Sequence, residues 1–445
     1  MQPEQWTSKL GFILAAAGSA IGIGAIWKFP YMTGMNGGGI FLLLFIIFTL
    51  LIGGPLLLSE FVIGRHTQKE AISAYQSISP KWAFIGYLGV GASFLLLSFY
   101  SVVGGWILLY LLKALTGTLS NLSNAQYEEV FNQMITNPTE VLIAQFIFML
   151  FTIIVVQGGI EKGIEKASRI MMPALFILFI VLVIRSITLD GAMEGIRFLL
   201  QPDFSMLTPK TLLLAMGQAF FSLSVGVSVM VTYSSYLAKN ESLVKSTNSV
   251  IFLNIFISLL AGLAIFPAVF AFGFEPTAGP GLIFIVLPAV FNQMAFGQLF
   301  FIIFLVLLVF ATLTSAFSML EIIVASVSRK YPNKRRKLTF ISGILIFIVG
   351  IPSALAFGVL QDMTIFGKNI FDAADFLVST ILLPLGALFI SIFTGYIMPK
   401  SLSEQEIAIA SPLGAKIYPL WRFIVRYIAP IAITIIFLQS LGLIK

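Results

Sequence analysis

The sequence predicts an all-α polytopic membrane protein. Of its 445 residues, 58% are hydrophobic and only 10% are charged, too little polar surface to coat a soluble globule. The apolar residues also gather into runs of about 20, the length a helix needs to cross a hydrocarbon core of about 30 Å. The same composition excludes several chemistries. Cysteine is absent, which removes disulfides, thiolate nucleophiles and iron–sulfur clusters. The single histidine, His66, sits beside Arg65 in an expected loop, so no metal site built on imidazole is expected. A net charge of +7 reports loop orientation in such a protein, and no nucleic-acid partner is expected. No charged-then-apolar leader opens the chain, so the mature terminus is expected at its start.

Cutting at the polar breaks gives eleven spans, at 10–34, 40–64, 84–114, 141–157, 168–189, 211–238, 248–273, 297–328, 338–357, 369–398 and 421–443. Lys and Arg concentrate after spans two, four, six, eight and ten, most densely at 329–337, and Lys9 stands on the same side. That asymmetry places residues 1–9 in the cytoplasm and, with an odd number of spans, the C-terminus outside the plasma membrane. The run 329–337 reads first as a solvated topogenic loop and second as an anionic-lipid contact. Segment 274–292 is apolar but interrupted by Pro276, Pro280 and Pro288, and reads as an external re-entrant cap with short helices.

Residues 10–189 and 211–398 form two five-span halves of similar length, with 421–443 as an extra eleventh helix. Because five is odd, the second half enters the membrane from the opposite side, the arithmetic of an inverted repeat. Each half is headed by a run that resists staying helical. In span one, Gly18-Ser19-Ala20-Ile21-Gly22-Ile23-Gly24 carries three glycines, each costing about 1 kcal/mol against alanine within a helix. Taken alone, close packing through small residues explains it as well. In span six, Phe221-Ser222-Leu223-Ser224-Val225-Gly226-Val227-Ser228 stands at a matching depth. Paired broken helices point to a midplane site, where half-helix N-termini face an anion and unwound carbonyls ligate a cation. Span eight adds Thr312, Thr314, Ser315 and Ser318, hydroxyls that either bond back to their own helix or supply hard oxygens. Glu60, Glu321 and Asp375 are the main intramembrane acids.

Over its whole length the chain resembles the neurotransmitter:sodium symporters, whose bacterial members include the leucine transporter. The resemblance rests on Trp6 with Lys9-Leu10-Gly11-Phe12-Ile13-Leu14, on the glycine run continuing to Trp27-Lys28-Phe29-Pro30, on Asn36-Gly37-Gly38-Gly39, and on Gly217-Gln218-Ala219-Phe220-Phe221-Ser222-Leu223-Ser224. It implies a leucine-transporter-like 5+5 inverted repeat with helices one and six broken, holding an amino acid between spans one, three, six and eight. The amides near Ile23 and Gly24, with the Tyr100 hydroxyl, would take the substrate carboxylate. Gly22, where monoamine carriers place an aspartate, suits a substrate that brings its own. Carbonyls near Ala20, Phe221 and Ser224, beside Ser222, would take the amine. Leu96, Phe221, Ser224, Val227, Ser315 and Met319 would line a roomy apolar pocket for a large aliphatic or aromatic side chain.

The resemblance also implies cations. A second sodium site would use the carbonyls of Gly18, Ile21 and Ala311 with the hydroxyls of Thr314 and Ser315. The first site keeps Ala20, Ser222 and Asn254, but its asparagine ligand falls at Ala25, so one Na+ is implied and a second is left open. For chloride, Gln218, Ser222, Asn254 and Ser258 fit while the usual tyrosine is Phe45, which leaves chloride use open. Lys28 and Asp375 match an outer gate with Tyr100 and Phe221 as its aromatic lid. The inner gate's arginine and aspartate positions fall at Pro3 and Arg329, so that ion pair is not expected, and Trp6 would plug the inner side with Tyr236 and Glu321 as polar partners. Gly163 and Pro173 match a hinge in span five.

The expected function is sodium-coupled symport of a hydrophobic amino acid by alternating access. The alternatives are an amino-acid receptor that binds without flux and a proton-coupled or sodium-independent carrier. An enzyme is not expected, because no set of nucleophile, base and orienting group recurs within the spans. The lipid bilayer and an amino acid are the expected partners, and nothing in the sequence specifies an oligomer.

Overall fold

The computed structural model describes residues 4–120, 122–275 and 279–443, so Pro3 and Pro276 lie outside the described residues. Among the described residues, nine unbroken helices are long and apolar enough to cross a membrane: Gly39–Thr67, Pro80–Leu115, Pro138–Gln157, Ile160–Ile187, Leu243–Ala271, Gly297–Ser328, Pro332–Ala354, Ile370–Ile397 and Pro412–Ser440. Two spans are broken. Lys9–Ala20 and Gly24–Met35 meet at 53°, and Pro209–Ser222 is separated from Val229–Ser235 by residues 223–228. Together these are the eleven expected spans, with the breaks in spans one and six.

Boundaries move where a charged side chain finds a partner inside the fold. Span eleven begins at Pro412 rather than 421, because Arg422 turns inward to the Tyr418 hydroxyl and the Gly395 carbonyl, 3.3 Å from each. Arg335 opens the helix of span nine, which hydropathy alone starts at 338. Four short helices escape hydropathy because each is too short or too polar: Ala71–Ile78, Asn124–Thr136, Ala192–Leu200 and Lys400–Ala408. The expected cap is present as a turn at Gly279–Leu282 and a helix at Val286–Asn292. It is pinned by the Tyr110 hydroxyl donating to the Phe284 carbonyl at 2.8 Å.

Burial is graded from the centre outward. In span three 72% of the membrane window is buried within the protein, against 28% in spans five and eleven, whose outward faces expose residues such as Ile177 and Ile431. Buried polar side chains occur along most of the spans, and those of spans one, six, seven and eight include Ser19, Ser222, Asn254, Thr314 and Ser318. Hydrocarbon outside and polar groups inside are what a bilayer solvent selects.

Candidate functional site

The first break begins at Ile21, whose N–H still bonds to the Ala17 carbonyl at 2.7 Å while its own backbone (φ −89, ψ 64) leaves the helix. The Ile23 N–H then donates to the Tyr100 hydroxyl at 3.4 Å. Glycine is required here by close approach. A Cβ on Gly22 would lie 2.3 Å from Ser315 Oγ and 2.9 Å from the Tyr100 hydroxyl, and one on Gly24 would lie 2.8 Å from the Phe221 ring. The helix-breaking cost of the run is therefore the condition for bringing spans three, six and eight against its backbone.

The second break carries Ser224 (φ 53), Gly226 (φ 101) and Ser228 (φ 56) in left-handed conformations, which cost a residue with a side chain about 1 kcal/mol or more each. Glu60 holds it open. This fully buried carboxylate accepts from the Gly226 N–H at 2.9 Å and the Met230 N–H at 3.2 Å. A charge at the start of the half-helix Val229–Ser235 is thus satisfied by backbone donors and the helix dipole. Sequence reasoning marked Glu60 only as an intramembrane acid; its use as a strap depends on which helix span two packs against.

Between the breaks lies a cavity of 40 Å³, room for about two water molecules. Of the residues expected to hold substrate, Ala20, Gly22, Ile23, Gly24, Leu96, Tyr100, Phe221, Ser224, Val227, Ser315 and Met319 line it. Ser222 is not among the lining residues: it is buried and accepts from Asn254 Nδ2 at 3.0 Å. Four lining residues were missed, namely Ser19, Ser318, Val229 and Leu383. Ser19 and Ser318 face each other, Oγ to Oγ, at 2.7 Å, and the helical spacing of Ser315 and Ser318 on span eight was the available signal.

Of the residues expected at the second cation site, Ser315 meets span one: its Oγ donates to the carbonyls of Gly18 (3.2 Å) and Ser19 (3.0 Å), whereas Thr314 Oγ1 bonds back to its own helix at the Phe310 and Ala311 carbonyls, 3.0 Å from each. A Cβ on Gly18 would touch Thr314 Cβ at 3.0 Å, so the two helices meet with no space to spare. At the first site Ala25 is fully buried and offers no side-chain oxygen, while Asn254 Oδ1 is buried without a hydrogen-bond partner. Gln218 donates to the Gly24 carbonyl at 2.7 Å and leaves its own Oε1 unpartnered, and Ser258 bonds back to the Asn254 carbonyl at 2.9 Å. Phe45 packs on Phe29, with ring centroids 4.8 Å apart.

Above the site is a second cavity of 360 Å³, walled by aromatic rings and reaching Lys28 and Asp375. Ile23, Leu96, Tyr100 and Phe221 line both cavities and so stand between them. The expected outer ion pair is not made among the described residues: Lys28 Nζ sits over the Phe221 ring, 4.0 Å from its centroid, and Asp375 accepts from Ser379 at 2.7 Å. Below the site, Trp6 is buried, with its indole N–H on the Tyr233 carbonyl at 2.8 Å. Its expected partners need correcting. Tyr236 meets Trp6 through its carbonyl, which accepts the Trp6 N–H at 3.2 Å, whereas Glu321 accepts the Tyr236 hydroxyl at 2.8 Å and pairs with Arg335 at 2.5 Å. Arg335 in turn lies 3.3 Å from Glu4. Arg329 pairs with Glu70 at 3.5 Å. In span five Gly163 belongs to a wide turn at Ile160–Glu165, where a Cβ would strike the Val155 carbonyl at 2.0 Å, and Pro173 lies inside the helix that follows.

Two broken helices around a midplane cavity, with an obstruction on each side, define a secondary transporter. The family model of the Sodium:neurotransmitter symporter family matches residues 3–133 and 129–445, and the chain belongs to that family. It is 56% identical to an uncharacterized sodium-dependent transporter of Bacillus subtilis, over 100% of this chain and 99% of that one. An uncharacterized sodium-dependent transporter of Haemophilus influenzae is 38% identical over 99% of this chain and 98% of its own length. Among solved structures, MhsT in complex with L-phenylalanine superposes with a TM-score of 0.90 at 45% identity, covering 98% of this chain and 99% of that one.

Proposed function

We propose that this protein is a sodium-coupled symporter that imports a large aliphatic or aromatic amino acid by alternating access, with its N-terminus in the cytoplasm. The observation that carries the reading is a central cavity whose wall combines backbone and hydroxyl groups with apolar side chains. The Ile23 N–H and the Tyr100 hydroxyl meet in that wall, which also carries Gly24 and the side chains of Leu96, Val227, Val229, Met319 and Leu383. The Ile23 N–H, the hydroxyl and the positive end of the half-helix beginning at Gly24 suit a carboxylate. The unwound carbonyls near Ala20, Phe221 and Ser224 suit an ammonium. The apolar residues take the side chain, and the flexible Met319 lets the small cavity adapt to a larger group. The bound L-phenylalanine of MhsT is consistent with that choice.

Sodium is the coupling ion of this reading, held by Gly18, Ile21, Ala311, Thr314 and Ser315. The orphaned Asn254 Oδ1 gives a first site one free oxygen ligand despite Ala25, so a second Na+ has a partial site. The receptor alternative drew its support from the missing inner ion pair, and the contact between Arg335 and Glu4 supplies one from other residues. Uptake of phenylalanine, leucine and glycine into proteoliposomes tests the reading. It expects accumulation of the two large substrates under an inward sodium gradient. Binding without accumulation under any sodium or proton gradient would refute transport, and equal uptake of glycine would refute the substrate class.

A further inference from the structure

The inner face carries a group of contacts that the substrate and sodium sites do not use. Trp6 hangs from span six, by its indole N–H on Tyr233 and its backbone N–H on Tyr236. The Tyr236 hydroxyl donates to Glu321 of span eight, whose carboxylate is fully buried and pairs with Arg335 of span nine. Arg335 then lies within ion-pair distance of Glu4, two residues before Trp6, its Nε 3.3 Å from Glu4 Oε1 without hydrogen-bond geometry. The contacts close a ring around the inner mouth, and a 570 Å³ cavity opening on that face ends at it, lined by Glu4, Ser235, Tyr236 and Arg335.

Glu4 does more than close the ring. Its other oxygen, Oε2, accepts from the Ile160 N–H at 3.4 Å, and a Cβ on Gly159 would lie 2.7 Å from its Oε1. Ile160 is the first residue of the wide turn that contains Gly163. The last residue of that turn, Glu165, is buried and fastened to the same N-terminal segment, accepting from the Thr7 N–H at 2.8 Å and the Thr7 hydroxyl at 2.6 Å. The segment Glu4–Ser8 therefore lies as a splint along the turn, attached at both ends.

We infer that Glu4 is a positioning residue of the inner gate: one carboxylate both closes the ring through Arg335 and pins the span-five turn through Ile160, so that the two inward openings are released together. The charge count makes Glu4 the element that gives way. Arg335 faces two carboxylates, Glu321 and Glu4. Removing Glu4 leaves a neutral Arg335–Glu321 pair, whereas removing Arg335 leaves the buried Glu321 uncompensated, a far larger cost. Glu4 is also about one-third exposed while Glu321 is fully buried, so water competes for the Glu4 contact alone. The inference rests on the transport reading in supposing that the inner face opens and that the two faces open alternately, and its test reads that opening without requiring flux.

The chain contains no cysteine, so a single introduced thiol reports without background. Ser235→Cys places it in the inner cavity and Val103→Cys in the outer one. Labelling by a charged maleimide is followed on the purified full-length protein, with Glu4 as glutamate, glutamine or arginine. Loss of a partly exposed ion pair predicts a rise of about two- to fivefold in inner labelling for Glu4→Gln. Glu4→Arg, which sets like charge against Arg335, should exceed it. Outer labelling should fall in parallel, because the two faces open alternately, and the melting temperature should stay within about 2 °C. Inner labelling unchanged in both variants, or rising together with outer labelling, would overturn the inference, the second outcome meaning general loosening. Should Glu4→Arg misfold, Glu4→Gln with Glu4→Asp as the charge-retaining rescue decides: an aspartate that labels no slower than the glutamine overturns it too.

Discussion

The outer and inner obstructions of this transporter are built from different physics. On the outside, aromatic rings stand between the 360 Å³ cavity and the site, and Lys28 and Asp375 share that cavity without pairing. On the inside, Trp6 is locked by hydrogen bonds and by the run from Tyr236 through Glu321 and Arg335 to Glu4. Rings can part and re-pack at small cost, whereas a ring of ion pairs sunk against buried helices opens only when a specific contact fails. In this structure the site is closed outward by the side chains shared between the two cavities and inward by hydrogen bonds and ion pairs.

Four experiments would break or sharpen that comparison. The largest effect should come from the proposed cation site between the two gates. Thr314→Ala with Ser315→Ala removes its two proposed hydroxyl ligands, and a loss on the order of a hundredfold in apparent sodium affinity is expected in uptake assays. Undiminished sodium dependence would show that coupling resides elsewhere. Next is Glu60→Gln, which replaces a carboxylate with an amide whose nitrogen cannot accept from Gly226 or Met230. A cost of about 2–3 kcal/mol is expected, visible as a lower melting temperature in detergent and weaker substrate protection. The third is acidification. Burial pushes the Glu4 carboxyl above its usual range against the opposing pull of Arg335, with Glu321 adding to the rise and the Ile160 N–H opposing it. A raised carboxyl takes its proton at higher pH than an ordinary carboxylate, so the Glu4 contact should be lost as the pH is lowered, before exposed carboxylates protonate. Labelling at Ser235→Cys should then rise a few-fold, and Glu4→Gln should flatten the profile. The smallest effect is expected at Asp375→Asn, which breaks no ion pair in this structure and should change substrate affinity by less than about 0.5 kcal/mol while slowing turnover. A large loss of affinity would mean that the outer pair is already formed when substrate binds.

How much of this was legible in the chain follows from what each residue's signal is made of. The eleven spans could be read because apolar runs and basic loops are local properties, felt one helix at a time. The breaks could be read because glycine's helix cost is local as well, and the crowding of Gly22 by Ser315 and of Gly24 by Phe221 gives that cost its purpose. Arg422 and Arg335 misled the boundaries for the same reason: a charge was read as a loop before its buried partner was known.

The inner network was legible only in part: Tyr236 and Glu321 were expected beside Trp6, but the pairing of Arg335 with Glu321 and Glu4 was not. Arg335 sits in a basic run that reads as topogenic, and Glu4 in an unpatterned terminus. Nothing along the chain pairs them, because their distance is set by how spans eight and nine pack beside the N-terminal segment. Leu383, Val229 and the facing hydroxyls of Ser19 and Ser318 entered the cavity in the same way. The sequence by itself thus determined what must cross the membrane and where a helix could not continue, since those costs are charged to single segments. Tertiary structure alone decided which acid meets which base and what closes the site on each side, because ion pairs and cavities belong to surfaces that exist only once the helices have packed.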